Sequence, residues 1–140
     1  DLPSSFYQDL VIHPAEDIMV AATHGRGVWA LDVRPIQSLT SEVKTKPIHL
    51  FEIGSARGPQ GFRNPGAPAS IQYWVGTPGR AARIRIADSQ GTVVQEIRGP
   101  AVYGFQSIEW QPARGLEPGG FTVTVSIGDA SAEGRLTVTR

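Results

Sequence analysis

Apolar and polar residues alternate with a period of two along most of the chain, and the pattern is clearest near the C-terminus. In Phe121-Thr-Val-Thr-Val-Ser-Ile127, Phe121, Val123, Val125 and Ile127 share one face, and Thr122, Thr124 and Ser126 share the other. That spacing predicts a strand with one buried face. Arg135–Thr139 repeats it with Leu136 and Val138 inward, and Gly128-Asp129 begins a short hairpin connection between the two. Upstream, Ala81–Asp88 sets Ile84 and Ile86 against Arg83 and Arg85, Asp88-Ser-Gln-Gly91 supplies a turn, and Thr92–Arg98 returns as the partner strand. Val93 and Ile97 are expected inward, with a bulge at Gly91 settling the competition between Val93 and Val94. Ser70–Val75, Gln106–Trp110 and Ile48–Ile53 read as further strands, with Ile108 and Trp110 turned toward the core. Helix is confined to a turn or two within Pro35–Val43. Such a set of strands, punctuated by turn residues, fits a two-sheet sandwich.

The first 34 residues carry a different pattern. Asp9–His13, Ile18–Thr23 and Val28–Asp32 are three short strands linked by Pro14-Ala-Glu-Asp17 and Gly25-Arg-Gly27. A three-stranded meander cannot bury two faces unaided, whereas a propeller blade has neighbours to cover it. The expected organisation is blade-like strands over 1–34, a polar linker over 35–47 and an immunoglobulin-like β-sandwich over 48–140. The fold class is all-β. A second long segment, 55–68, is rich in Gly, Pro and Arg and is expected to be the least structured part.

Composition narrows the chemistry. The 140 residues include 16 Gly and 11 Pro, in keeping with many turns. Lys plus Arg and Asp plus Glu are 13 each, so no net field draws the chain to nucleic acid. Cysteine is absent, which excludes disulfides, thiolate zinc sites and a cysteine nucleophile. No apolar run reaches the length of a membrane span. The chain starts at Asp1 rather than Met and has no signal pattern, so processing and an upstream targeting signal are expected.

Asp9-Leu-Val-Ile-His-Pro14, followed by Ala21-Ala-Thr-His-Gly-Arg-Gly-Val-Trp-Ala-Leu-Asp32, resembles the closing blade of bacterial BNR-type propeller proteins, often labelled glycosyl hydrolase or sortilin-like repeat proteins. The resemblance covers about the first third of the chain, and His24–Trp29 is its most specific part. The Ser-x-Asp-x-Gly-x-Thr-Trp box of such repeats does not occur here. The remainder is similar to the Ig-like module of the flagellar hook-capping protein, through Asp88-Ser-Gln-Gly91, Trp110 and Pro118-Gly-Gly-Phe-Thr-Val-Thr-Val125. The resemblance implies a secreted or periplasmic bacterial parent whose upstream propeller is the first partner. Its implied role is a noncatalytic accessory or interaction module. The alternatives are the C-terminal fragment of a BNR-repeat glycoside hydrolase and a carbohydrate-binding sandwich.

Each candidate site has a functional and a structural reading. Arg26 can grip a carboxylate and Trp29 can stack on a sugar ring. Alternatively, Gly25 and Gly27 make a tight turn, Trp29 fills space between blades, and His24 and Arg26 bond backbone. Arg83 and Arg85 form a basic stripe that either binds polysaccharide or keeps a sheet face solvated. Tyr73 and Trp74 point to opposite faces, so one of them is a candidate exposed aromatic, as is Phe62 in the long loop. His13 and His24 lie on adjacent strands, but their spacing does not suggest a metal site, and neither metal nor cofactor is expected. No carboxylate pair stands out for glycoside hydrolysis: Asp88 and Asp129 fall in turns, Glu96 and Glu109 in strands. An envelope protein or polysaccharide is a further expected partner, and self-association through the unpaired N-terminal strands is another.

Overall fold

A computed structural model describes residues 4–60 and 64–140, and among these residues the chain forms eleven strands and two single-turn helices. It divides into two units, residues 1–40 and 41–140. The division at Thr40/Ser41 falls inside the polar 35–47 segment, which holds α1 (Arg34–Gln37) and α2 (Ser41–Thr45).

The first unit is an antiparallel meander of β1 (Tyr7–Ile12), β2 (Ile18–Thr23) and β3 (Val28–Asp32), in that order across the sheet. Its register puts Leu10, Ala21 and Trp29 in one row and Ile12, Met19 and Leu31 in another on the same face. The opposite face carries the rows Val11, Val20, Ala30 and Asp9, Ala22, Val28. Both faces are therefore apolar, which is the composition of a strand covered on two sides. Leu10, Val11, Ile12, Val20 and Val28 are all exposed.

The second unit is a two-layer β-sandwich. One sheet runs β4 (Ile48–Leu50), β6 (Ala69–Val75), β9 (Gly104–Trp110). The other runs β5 (Ser55–Arg57), β11 (Ala130–Thr139), β10 (Gly119–Ile127), β7 (Ala82–Ala87), β8 (Val93–Gly99). Ile71, Tyr73, Val75, Trp110, Ile84, Ile86, Val123, Val125 and Leu136 fill the space between them. The inward set foreseen for β7, β10 and the end of β11 is the buried set. Gly99 sits where a Cβ would lie 2.4 Å from the Tyr73 hydroxyl and 2.9 Å from Ile84 Cδ1, so a side chain there would displace the core.

Three local expectations are corrected. The 55–68 segment is not uniformly irregular: β5 pairs parallel with the end of β11, and Arg57 bridges Ala67. Three residues are too few to show a period, although Ala56 is buried between exposed Ser55 and Arg57. The bulge in β8 falls at Val94 rather than Gly91, because Ala87 pairs with Val93 and Ile86 with Gln95. Val93 is consequently exposed, and Gln95 takes the inward register position, where its Oε1 accepts the Trp110 indole N–H at 2.7 Å. The strand after the Gly128-Asp129 turn begins at Ala130 rather than Arg135, giving a two-residue hairpin with Gly128 at φ +56°.

Trp110 is 1% exposed, packs 6.4 Å from Phe121 and anchors β9 to β8 through Gln95. Trp110→Ala should destabilise residues 41–140 by about 3–5 kcal/mol in a urea titration. Trp29→Ala should leave that transition in place.

Candidate functional site

Residues 24–29 form the β2–β3 hairpin of the first unit. Gly25 and Gly27 both have positive φ, at +81° and +85°, which lets the chain reverse within a few residues. The Thr23 amide and hydroxyl both donate to the Gly27 carbonyl, at 3.1 and 2.7 Å. The Trp29 indole N–H donates to the Arg26 carbonyl at 3.1 Å, locking the ring over the turn. The His24 amide donates to the Phe6 carbonyl, and its ring Nδ1 lies 3.2 Å from Gln8 Nε2. The motif thus works locally through backbone carbonyls, while the Arg26 side chain and one side of Trp29 face outward.

His13 and His24 do not approach each other. Antiparallel pairing places His13 at the β1–β2 turn and His24 at the opposite end of the same sheet. Among the described residues, no group of three or more His, Cys, Asp or Glu is placed to hold a metal ion. At the end of β3, Arg34 chelates the Asp32 carboxylate through Nε at 3.0 and 3.1 Å and holds it below the usual carboxylate range. An open depression of about 390 Å³ lies there, lined by Glu16, Ile18, Ala30, Leu31, Asp32 and Arg34.

In the second unit, Arg83 and Arg85 project from the outer face of the five-stranded sheet. Glu96 stands opposite Arg85 and accepts an ion pair from Arg83 Nε at 3.4 Å, and Arg98 stands opposite Arg83. The next strands contribute Thr124, opposite Arg85, and Glu133, whose carboxylate accepts the Thr124 hydroxyl at 3.2 Å. The stripe is therefore a mixed-charge face, with a shallow depression of about 390 Å³ bordered by Arg85, Asp88, Thr122, Thr124 and Glu133. Asp88 is committed to its own turn, accepting the Gln90 and Thr92 amides at 2.9 Å each.

Trp74 and Tyr73 do face opposite ways, yet neither is exposed. Tyr73 is fully buried between the sheets, and Trp74, on the outer face, is only 6% exposed. Trp74 is therefore not an open stacking platform. It lies in a row with His49 and Phe105 across β4, β6 and β9, flanked by Phe51 and Tyr103. Trp74 and Tyr103 meet edge to face at 5.2 Å, and Phe51 and Phe105 lie tilted to each other at 5.5 Å. Among the described residues no atom accepts the Trp74 indole N–H. Among the described residues of 41–140, the exposed aromatics are Tyr103 and Phe105, beside exposed Val102. The sequence signal for this cluster is the i, i+2 spacing of His49 with Phe51 and Tyr103 with Phe105, on strands flanking β6. Phe62 lies outside the described residues.

No family model matches the chain, and no curated protein matches it. Among solved structures it is similar to PorZ, an essential bacterial surface component of the type-IX secretion system of Porphyromonas gingivalis. That match has 14% identity and a TM-score of 0.42, and covers 96% of this chain and 16% of that one. An engineered protein matches at 14% identity and a TM-score of 0.44, over 66% of this chain and 20% of its own. The chain spans about a sixth and a fifth of those two lengths. Both likenesses are distant, and the all-β assignment rests on this chain's own strand pairing.

Two titrations follow from this geometry. Burial, then the nearby Lys46 charge, lowers the His49 pKa, with Glu42 opposing. A lowered pKa favours neutral His49 in the folded state, so its contribution is present above the ordinary value of 6.5 and lost as pH falls below it. His49 is the single histidine of residues 41–140. Stability of that unit should therefore fall from neutral pH to below 6.5, and His49→Phe should flatten the profile. Burial pushes Tyr73 up to about 12, and its hydroxyl donates to the Pro100 carbonyl at 2.7 Å. Its folded state resists ionisation, so stability should be full below pH 10 and decline between 10 and 12. Tyr73→Phe should remove that alkaline decline while costing about 1–2 kcal/mol at neutral pH, both read from denaturant titrations.

Proposed function

We propose that this chain is a noncatalytic C-terminal accessory module of a larger secreted or periplasmic β-propeller protein. Residues 7–32 supply strands of its last blade, and residues 48–140 form an Ig-like interaction module. The observation that carries the reading is the two-faced apolar character of the β1–β3 sheet. Val11, Val20 and Val28 on one side, and Leu10, Ile12 and Trp29 on the other, are all exposed. Sheets of this composition are stable when layered between two neighbours, and blades in a propeller supply such neighbours. The resemblance of Asp9–Asp32 to a closing blade points the same way, with the parent's upstream propeller as the partner.

The tight turn at residues 24–29 fits a scaffolding role for that motif, since its bonds are spent within the hairpin. In the second unit, Val102, Tyr103 and Phe105 offer the apolar surface through which the module meets an envelope protein or polysaccharide.

The test compares one substitution in two contexts. Val11 and Val28 are 57% and 72% exposed in this chain. Val11→Thr and Val28→Thr should therefore shift the stability of the 140-residue chain by less than about 0.5 kcal/mol. In the longer parent each should cost about 1–2 kcal/mol, because the same side chains are covered there. Equal effects in the two contexts, or a gene encoding no upstream β repeats, would overturn the proposal.

A further inference from the structure

The two edges of the β1–β3 sheet are not equivalent, and the difference is written in their backbone groups. Along an antiparallel pair, successive residues alternate between bonding the neighbour and pointing away from it. The His13 amide donates to the Ile18 carbonyl, so β1 bonds β2 through its odd-numbered residues, and Leu10 and Ile12 point outward. That edge is guarded. A bulge at Gln8 interrupts it, and the Asp9 carboxylate already accepts the Leu10 amide at 2.9 Å.

At the other edge, the Thr23 and Val33 amides donate to Gly27 and Asp17. By the same alternation, β3 bonds β2 through Trp29 and Leu31, and Val28, Ala30 and Asp32 turn their N–H and C=O groups outward. No bulge, proline or lysine interrupts Val28–Asp32. Among the described residues no strand pairs with its outer edge. A regular apolar edge of this kind is a template for another strand.

We infer that this edge pairs antiparallel with β3 of a second copy of the chain, about a two-fold axis at Ala30. The segment is self-complementary in that register. Ala30 faces its own counterpart, and Val28 faces Asp32 of the partner subunit, both as bonded pairs through the outward groups. Trp29 then stands opposite Leu31 of the partner subunit, extending one apolar row across the junction. Asp32 is already chelated by Arg34 of its own subunit, so the junction rests on backbone pairing and the apolar row rather than on charge. An isologous contact of this kind closes at two copies and leaves each guarded β1 edge outermost. The inference goes beyond the accessory-module reading and does not depend on it, because it concerns the strand edge of the 140-residue chain and not the sheet faces on which that reading rests.

The test is sedimentation of the 140-residue chain from micromolar to millimolar concentration, with proline placed at each edge. The Ala30 and Leu10 amides both point away from β2, so proline at either position removes an outward donor without breaking a bond to β2. A dimer that Ala30→Pro converts to monomer and Leu10→Pro leaves intact is the expected result. Amide exchange at Val28, Ala30 and Asp32 should slow at least tenfold on association. Should Ala30→Pro unfold the sheet, Val28→Asp, an exposed substitution that sets a carboxylate opposite Asp32 of the partner subunit, should still weaken the dimer severalfold. A wild type that stays monomeric throughout overturns the inference, as does a dimer insensitive to both Ala30→Pro and Val28→Asp, or one lost through Leu10→Pro alone.

Discussion

A β-strand has two faces, and a sheet is self-sufficient only when at least one of them tolerates water. That constraint separates the two halves of this chain. In β7 and β10, Ile84, Ile86, Val123 and Val125 are fully buried while Arg83, Arg85, Thr122 and Thr124 lie on the outer face. That sheet covers its apolar face with the other layer and turns a polar face to water. In β2, Ile18-Met-Val-Ala-Ala22 has no polar face to turn outward. The sheet it centres leaves large apolar side chains exposed on both sides. Its limited stability alone follows from that difference.

Inside the sandwich, the few polar atoms that enter are bonded to neighbouring elements. The Trp110 indole reaches Gln95 across the core, and the Tyr73 hydroxyl reaches the Pro100 carbonyl. Among the described residues no charged side chain is buried, so the core contains no ionised group in need of a partner. The chemistry of the unit is therefore on its surface: a mixed-charge face on one sheet, an aromatic row on the other.

Most of this fold was legible in the sequence, because long alternating strands announce their own faces. Phe121–Ile127 and Ala82–Ala87 did so through strict period-two spacing. The failures have specific causes. The bulge at Val94 shifted the β8 register by one residue and turned Val93 outward, and no local residue type marks a bulge there. β5 is held by a parallel pairing with residues more than eighty positions away, which no local pattern can reveal. Trp74 read as a candidate exposed ring because alternation puts it on the outer face. It is covered because His49 and Phe105 flank it from the two neighbouring strands and Tyr103 packs on it edge to face. At the hairpin, Gly25 and Gly27 were readable as turn residues, whereas the Trp29 bond to the Arg26 carbonyl required coordinates.

The central claim is that the two units differ in self-sufficiency, and native-state hydrogen exchange on the 140-residue chain tests it most directly. The account predicts two tiers. Amides of β10 and β7 should exchange only through unfolding of residues 41–140, whereas those of β2 should exchange through an opening several kcal/mol lower that leaves the sandwich closed. A single tier, with β2 as protected as β10 and lost in the same denaturant range, would contradict the account: the first sheet would then be a stable part of one cooperative domain.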